Sequence, residues 1–121
     1  MKNEGSRVNA EWLSVCTVEE LASPGVRTIA LPELTVAVFR LADRRLFAIE
    51  DRCPHRGARL SSGIVYDGDK IASLDHGWAV RLTDGGVEPP DHGCVRTFPV
   101  KVADGQVFVF IAAVAPAFKQ Q

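Results

Sequence analysis

Residues 53–58 read CPHRGA and residues 73–78 read SLDHGW. The first stretch sets a thiol, Cys53, and an imidazole, His55, one residue apart. After seventeen intervening residues comes Ser73, and two positions separate it from a second imidazole, His76. Thiolate sulfur and imidazole nitrogen are ligands that iron and zinc both accept. Two loops that each give one sulfur and one nitrogen can hold a metal centre between them. Here the second sulfur position carries a hydroxyl. The bland alternative is a pair of ordinary turns, with Cys53 a small buried apolar residue and the histidines capping loops by hydrogen bonding. Pro54 stiffens the first loop, and the paired spacing favours ligation, past or present.

Little else in the chain suggests chemistry. There is no Ser-His-Asp order, no phosphate loop and no dinucleotide-binding glycine motif. The chain has no visible means of catalysing a reaction alone, so a redox role is that of a relay or accessory subunit. The cysteines are Cys16, Cys53 and Cys94. An odd, widely spaced set points to free thiols or ligands rather than a disulfide framework. Cys16 sits in an apolar run and is expected in the core. Cys94, in His92-Gly93-Cys94, completes on paper a Cys2His2 zinc set with Cys53, His55 and His76. Arg56, Arg59 and Arg81 are most simply solvated loop charges, with contact to an acidic partner surface as the alternative. Trp78 is expected to cover the second loop or pack in the core.

The composition narrows the class. A chain of 121 residues suggests one domain, here 1–121 with a core of about 11–111 and flexible termini. Apolar residues make up 46%, charged residues 24%, and the net charge is −1, with no basic face for nucleic acid. No apolar run is long enough for a membrane span, and MKNEGSRVNAEW lacks a signal core. A cytoplasmic location is the expectation.

The elements that must position the two motifs are short apolar runs broken by Gly, Pro and Asp. Strands are predicted at 12–16, 26–31, 35–41, 45–50, 64–66, 70–74, 79–82, 95–102 and 106–111. Thr17 and Glu20 form a capping box opening one helical turn. Turn signals stand at Ala42-Asp43-Arg44, Asp67-Gly68-Asp69, Thr83-Asp84-Gly85-Gly86 and Ala103-Asp104-Gly105. Residues 51–62 are a loop, and the tail AAVAPAFKQQ is expected to be partly disordered. About nine short strands argue for an all-β antiparallel sandwich or barrel with both motif loops at one tip.

With these elements in place, CPHRGARLSSGIV resembles the first cluster loop of Rieske proteins of the ferredoxin type. The stretches HGWAVRLTDG and DHGCVRTFPVKVADGQVFV are similar to the small subunit of assimilatory NAD(P)H nitrite reductase. The resemblance covers roughly residues 11–111. It implies a Rieske fold and a [2Fe–2S] cluster held by two cysteines on one iron and two histidines on the other. Carried onto this chain, the ligand positions are Cys53, His55, Ser73 and His76, with Gly57, Gly63 and Gly77 letting the loops pack closely. It also implies a large flavin- and sirohaem-bearing partner subunit, in nitrite assimilation.

The departure is at the second loop, where the family has Cys-Pro-x-His and this chain has Ser73-Leu74-Asp75-His76. A cysteine thiol has a pKa near ~8.5 and gives a soft thiolate readily. A serine hydroxyl is far less acidic and its oxygen is hard. Cluster binding is therefore expected to be weakened, and a degenerate site holding no cofactor is the limiting case. Two other readings stay open: a clusterless interaction subunit of the same fold, and a Rieske ferredoxin serving an oxygenase.

Overall fold

A computed structural model describes residues 11–32, 34–52, 59–74, 79–89 and 93–111. Ten strands are present among them: β1 (Glu11–Thr17), β2 (Gly25–Ala30), β3 (Thr35–Arg40), β4 (Leu46–Glu50), β5 (Ile64–Tyr66), β6 (Lys70–Ala72), β7 (Ala79–Arg81), β8 (Thr97–Phe98), β9 (Val100–Ala103) and β10 (Gln106–Ile111). They form three antiparallel sheets, ordered β9-β10-β1, β2-β3-β4-β8 and β5-β6-β7. The all-β antiparallel expectation holds. No helix among the described residues is long and apolar enough to cross a membrane.

The four-stranded sheet is the centre of the molecule. Strand β3 reads TVAVFR, and its middle four residues are all buried. Alternation along the strand sends them to two different cores. Val36 and Val38, with Ala48, pack against Cys16, Leu21, Val107, Val109 and Ile111 of the β9-β10-β1 side. Ala37 and Phe39, with Ile49, pack against Leu60, Ile71, Val80, Leu82, Val87 and Val95. That second core carries the small β5-β6-β7 sheet. A continuous apolar run is what a strand covered on both faces requires. Cys16 is buried as expected, and burial pushes its thiol above the ordinary value.

Several boundaries differ from the sequence expectation for identifiable reasons. Thr17 and Glu20 do exchange hydrogen bonds, Glu20 N–H to Thr17 Oγ1 at 3.1 Å and Thr17 N–H to Glu20 Oε1 at 2.8 Å. The segment is nevertheless a turn, not a helix, because Ser23-Pro24 follows at once. The run 95–102 is split at Pro99, which has no N–H for the ladder. Thr97–Phe98 pairs with β4, and Val100–Ala103 pairs with β10. The hairpin joining β9 to β10 turns through Asp104 and Gly105, both at positive φ (52° and 75°). That is the backbone of a two-residue turn matched to strand twist. Within the predicted loop 51–62, Leu60–Ser62 form a 3-10 helix.

Candidate functional site

The two motif loops spring from the same end of the small sheet. In the β5–β6 ladder Ile64 faces Ala72, and in the β6–β7 ladder Ala72 faces Ala79. The first loop therefore enters β5 through Gly63, beside the point where the second loop leaves β6 at Ser73. The approach is close. A Cβ built on Gly63 would lie 2.2 Å from the carbonyl oxygen of Ala72. Only glycine fits there, which bears out the expectation for Gly63.

Both legs of the first loop are pinned. On the entry side, Asp51 N–H donates to Thr35 O of β3 at 2.8 Å. Its carboxylate is fully buried and accepts from Ser61 N–H at 2.6 Å and from Ser61 Oγ at 2.7 Å. The Arg59 Nε lies 3.4 Å from the same carboxylate, with its side chain 60% exposed. On the return side, Leu60 is buried completely in the core beneath the sheet. Gly63 N–H then donates to Leu60 O at 2.9 Å and closes the 3-10 turn.

The second loop leaves a strand bearing a charge problem and its solution. Lys70 and Arg81 face each other across β6–β7, a pairing of like charges. Glu88 sits between them, with Oε1 at 3.3 Å from Lys70 Nζ and Oε2 at 2.6 Å from Arg81 NH1. Asp67 adds a 3.1 Å contact to Lys70, and Asp84 a 3.0 Å contact to Arg81. Hydrogen bonds donated by Arg81 and Lys70 hold the Glu88 carboxyl below its usual range, and the hydrogen bonds Lys70 donates to Asp67 and Glu88 raise Lys70. Arg81 is therefore not the solvated loop charge its sequence context suggests. It is a strand residue engaged by two carboxylates. Arg59 remains mostly exposed at the loop base.

Of the four sequence-predicted ligand positions, the described residues include Ser73. It lies just past the end of β6 and is buried, at 3% exposure, whereas the next residue, Leu74, is 65% exposed. The position expected for the fourth donor is thus a buried serine at the base of the second loop. Cys53, His55 and His76 lie outside the described residues, as do Pro54, Arg56, Gly57, Asp75, Gly77, Trp78, His92 and the tail 112–121. Cys94, named in the zinc set, is exposed and bridges Gly86. Among the described residues no three His, Cys, Asp or Glu side chains form a metal set. Asp51 and Ser61 carry no motif in the sequence. A pairing of side chain and backbone across ten positions leaves no periodic signal.

Among the described residues the bases of the two loops are held together by the Gly63–Ala72 contact, and the first is anchored by buried Leu60 and by the Asp51 carboxylate on Ser61. The donor set fits three of the four positions by ligand type, with a hydroxyl oxygen at the fourth.

A family model described as a Rieske-like [2Fe–2S] domain matches residues 11–110. The anthranilate 1,2-dioxygenase ferredoxin subunit of Burkholderia cepacia is 35% identical over 100 residues, covering 83% of this chain and 92% of that one. The solved ferredoxin–oxygenase complex of carbazole 1,9a-dioxygenase includes a chain that superposes with a TM-score of 0.73 at 31% identity, over 81% of this chain and 91% of that one. A protein assigned as the small subunit of an NADH-dependent nitrite reductase from Mycobacterium tuberculosis superposes with a TM-score of 0.76 at 29% identity, over 87% of this chain and 98% of that one. In other relatives the match is one part of a larger protein, spanning 21% or 18% of its length.

Proposed function

Because the chain belongs to the Rieske-like [2Fe–2S] domain family, a family of electron-transfer domains, we propose that it is the small subunit of a nitrite reductase-like complex. It relays electrons within, or docks onto, a large subunit bearing flavin and sirohaem, in cytoplasmic nitrite assimilation. The observation that carries this reading is the superposition on the Mycobacterium tuberculosis protein over 98% of that protein's length. The run Cys94 to Val102 adds support, since its sequence, CVRTFPVKV, resembles the nitrite reductase small-subunit family. Cys94 bridges Gly86, Thr97–Phe98 extends the central sheet, and Val100–Ala103 enters the third.

In this reading Cys53, His55 and His76 would hold the cluster, with the Ser73 hydroxyl as a poor fourth donor. When bound, the cluster supplies one-electron transfer. The chain's own contribution is positional: Gly63 brings the loop bases together, Leu60 and Asp51 anchor the first loop, and burial of Ser73 keeps water from the fourth donor. Replacing one thiolate by a hydroxyl weakens binding, so the protein holds its cluster less firmly than a two-cysteine version would.

A ferredoxin role toward an oxygenase is the second reading, favoured by 35% identity to a dioxygenase ferredoxin over 92% of its length. Co-purification decides between them. The tagged chain, drawn from its native cells without oxygen, is expected to bring down a large flavin- and sirohaem-containing subunit. Recovery of an oxygenase component instead would move the assignment to the ferredoxin class. Iron analysis of the same sample decides between relay and clusterless module: an iron-free chain that still brings down the large subunit is the module.

A further inference from the structure

The least expected group near the site is the carboxylate of Asp51, which is fully shielded from solvent. A buried carboxylate is costly unless it is well supplied with donors. Besides a 3.4 Å contact from Arg59 Nε, the donors come from one residue. Ser61, ten positions further on, offers both its N–H and its hydroxyl, one to each carboxylate oxygen. A carboxylate is the side chain that can accept both at once. The two residues stand on opposite sides of the stretch that carries Cys53 and His55. Asp51 is itself tied through its N–H to Thr35 O of the central sheet, and Ser61 follows the fully buried Leu60. Both halves of the contact are thus fixed to the scaffold.

We propose that Asp51 is a positioning residue: its buried carboxylate clasps Ser61 and holds the loop of Cys53 and His55 closed at its base, whether or not metal is bound. The family's metal centre cross-links the loops from their tips. The clasp closes one of them from below, by a bond that does not depend on the donor set. A chain whose second sulfur position is a serine benefits most from such a device, because the frame persists when the metal cross-link is weak. That the loop is a ligand loop rests on the reading proposed above; that Asp51 closes it does not.

Limited trypsin digestion of the full chain, freed of metal by a chelator, tests the clasp independently of any cluster. Arg52, Arg56 and Arg59 are cleavage sites in or beside the loop, and Arg27 in β2 and Arg81 in β7 report on the rest of the fold. In Asp51→Ala, cleavage at the three loop sites is expected to accelerate by about tenfold or more, the scale of losing hydrogen bonds to a charged group. Cleavage at Arg27 and Arg81 should stay within about twofold of the parent. Asp51→Asn keeps an acceptor for the Ser61 N–H and a donor for its oxygen, so it should restore most of the loop protection. Equal acceleration at all five sites, or none at the loop, overturns the proposal. A second arm separates the clasp from the cluster reading. On a Ser73→Cys background, Asp51→Ala should take up less iron on reconstitution than Asp51→Asn. If neither takes up iron while the loop-selective cleavage persists, the clasp stands and the cluster reading falls.

Discussion

Gly63 and Ala72 are in backbone contact, so close that a methyl group on Gly63 would sit 2.2 Å from the Ala72 carbonyl oxygen. This contact joins the return of the first loop to the departure of the second. The obstacle is backbone, not the end of a flexible side chain, so it cannot move aside cheaply.

Gly63→Ala should therefore force the loop bases apart. Overpacking of this kind costs roughly 1–3 kcal/mol. Urea unfolding should show a lower midpoint, and the variant should take up less iron than its parent. Since φ at Gly63 is an ordinary −82°, the effect is one of space and not of backbone conformation.

Leu60 pins the same loop from the core side. It is completely buried among Phe39, Ile71 and Val80. Leu60→Ala should cost about 2–5 kcal/mol in denaturant unfolding, the range for a deleted core leucine. Leu60→Met, nearly equal in volume, should cost much less.

The ion network on β6 and β7 predicts a pH dependence of stability. Glu88 and Asp84 are held below the usual carboxylate range by hydrogen bonds, from Arg81 and Lys70 for Glu88 and from Gly86 N–H and Arg81 for Asp84. Their folded-state values are depressed. Their contribution is thus present above the ordinary carboxylate pKa and lost as pH falls through the folded one. Lys70 is raised, so its contribution is present below the ordinary lysine value and lost as pH rises through the folded one. Thermal melts from pH 7 to pH 3 should show Glu88→Gln losing less stability on acidification than the parent. Added salt should shrink the difference, because these side chains are partly exposed.

Much of this architecture is written in the chain. The run Thr35 to Leu41 announces a strand, though not that both its faces are buried, and Ala103-Asp104-Gly105 announces the hairpin joining β9 to β10. The capping box at Thr17 and Glu20 forms the bonds it promises, yet no helix grows, because Pro24 closes the segment. Pro99 divides what periodicity alone joins into one strand. The need for glycine at position 63 is legible as loop chemistry. The clasp of Asp51 on Ser61 is not, since it depends on where two loop legs meet in space. The same holds for Glu88, which lies between Lys70 and Arg81 only once β6 and β7 have paired.

The thiols give a further check. Cys94 is exposed and Cys16 is buried. In the folded, metal-free chain, an alkylating reagent should modify Cys94 promptly and Cys16 only on unfolding. Protection of Cys94 that disappears on adding a chelator would instead favour the zinc set of Cys53, His55, His76 and Cys94.

In the proposed cluster site Cys53, His55 and His76 share one pocket with residue 73. The most direct measurement compares iron and acid-labile sulfide per chain in the parent and in Ser73→Cys, both reconstituted without oxygen. The cysteine variant should approach two irons and two sulfides, as a [2Fe–2S] centre requires, and the parent should hold clearly fewer. Equal, negligible iron in both would show that the two loops do not converge on a cluster.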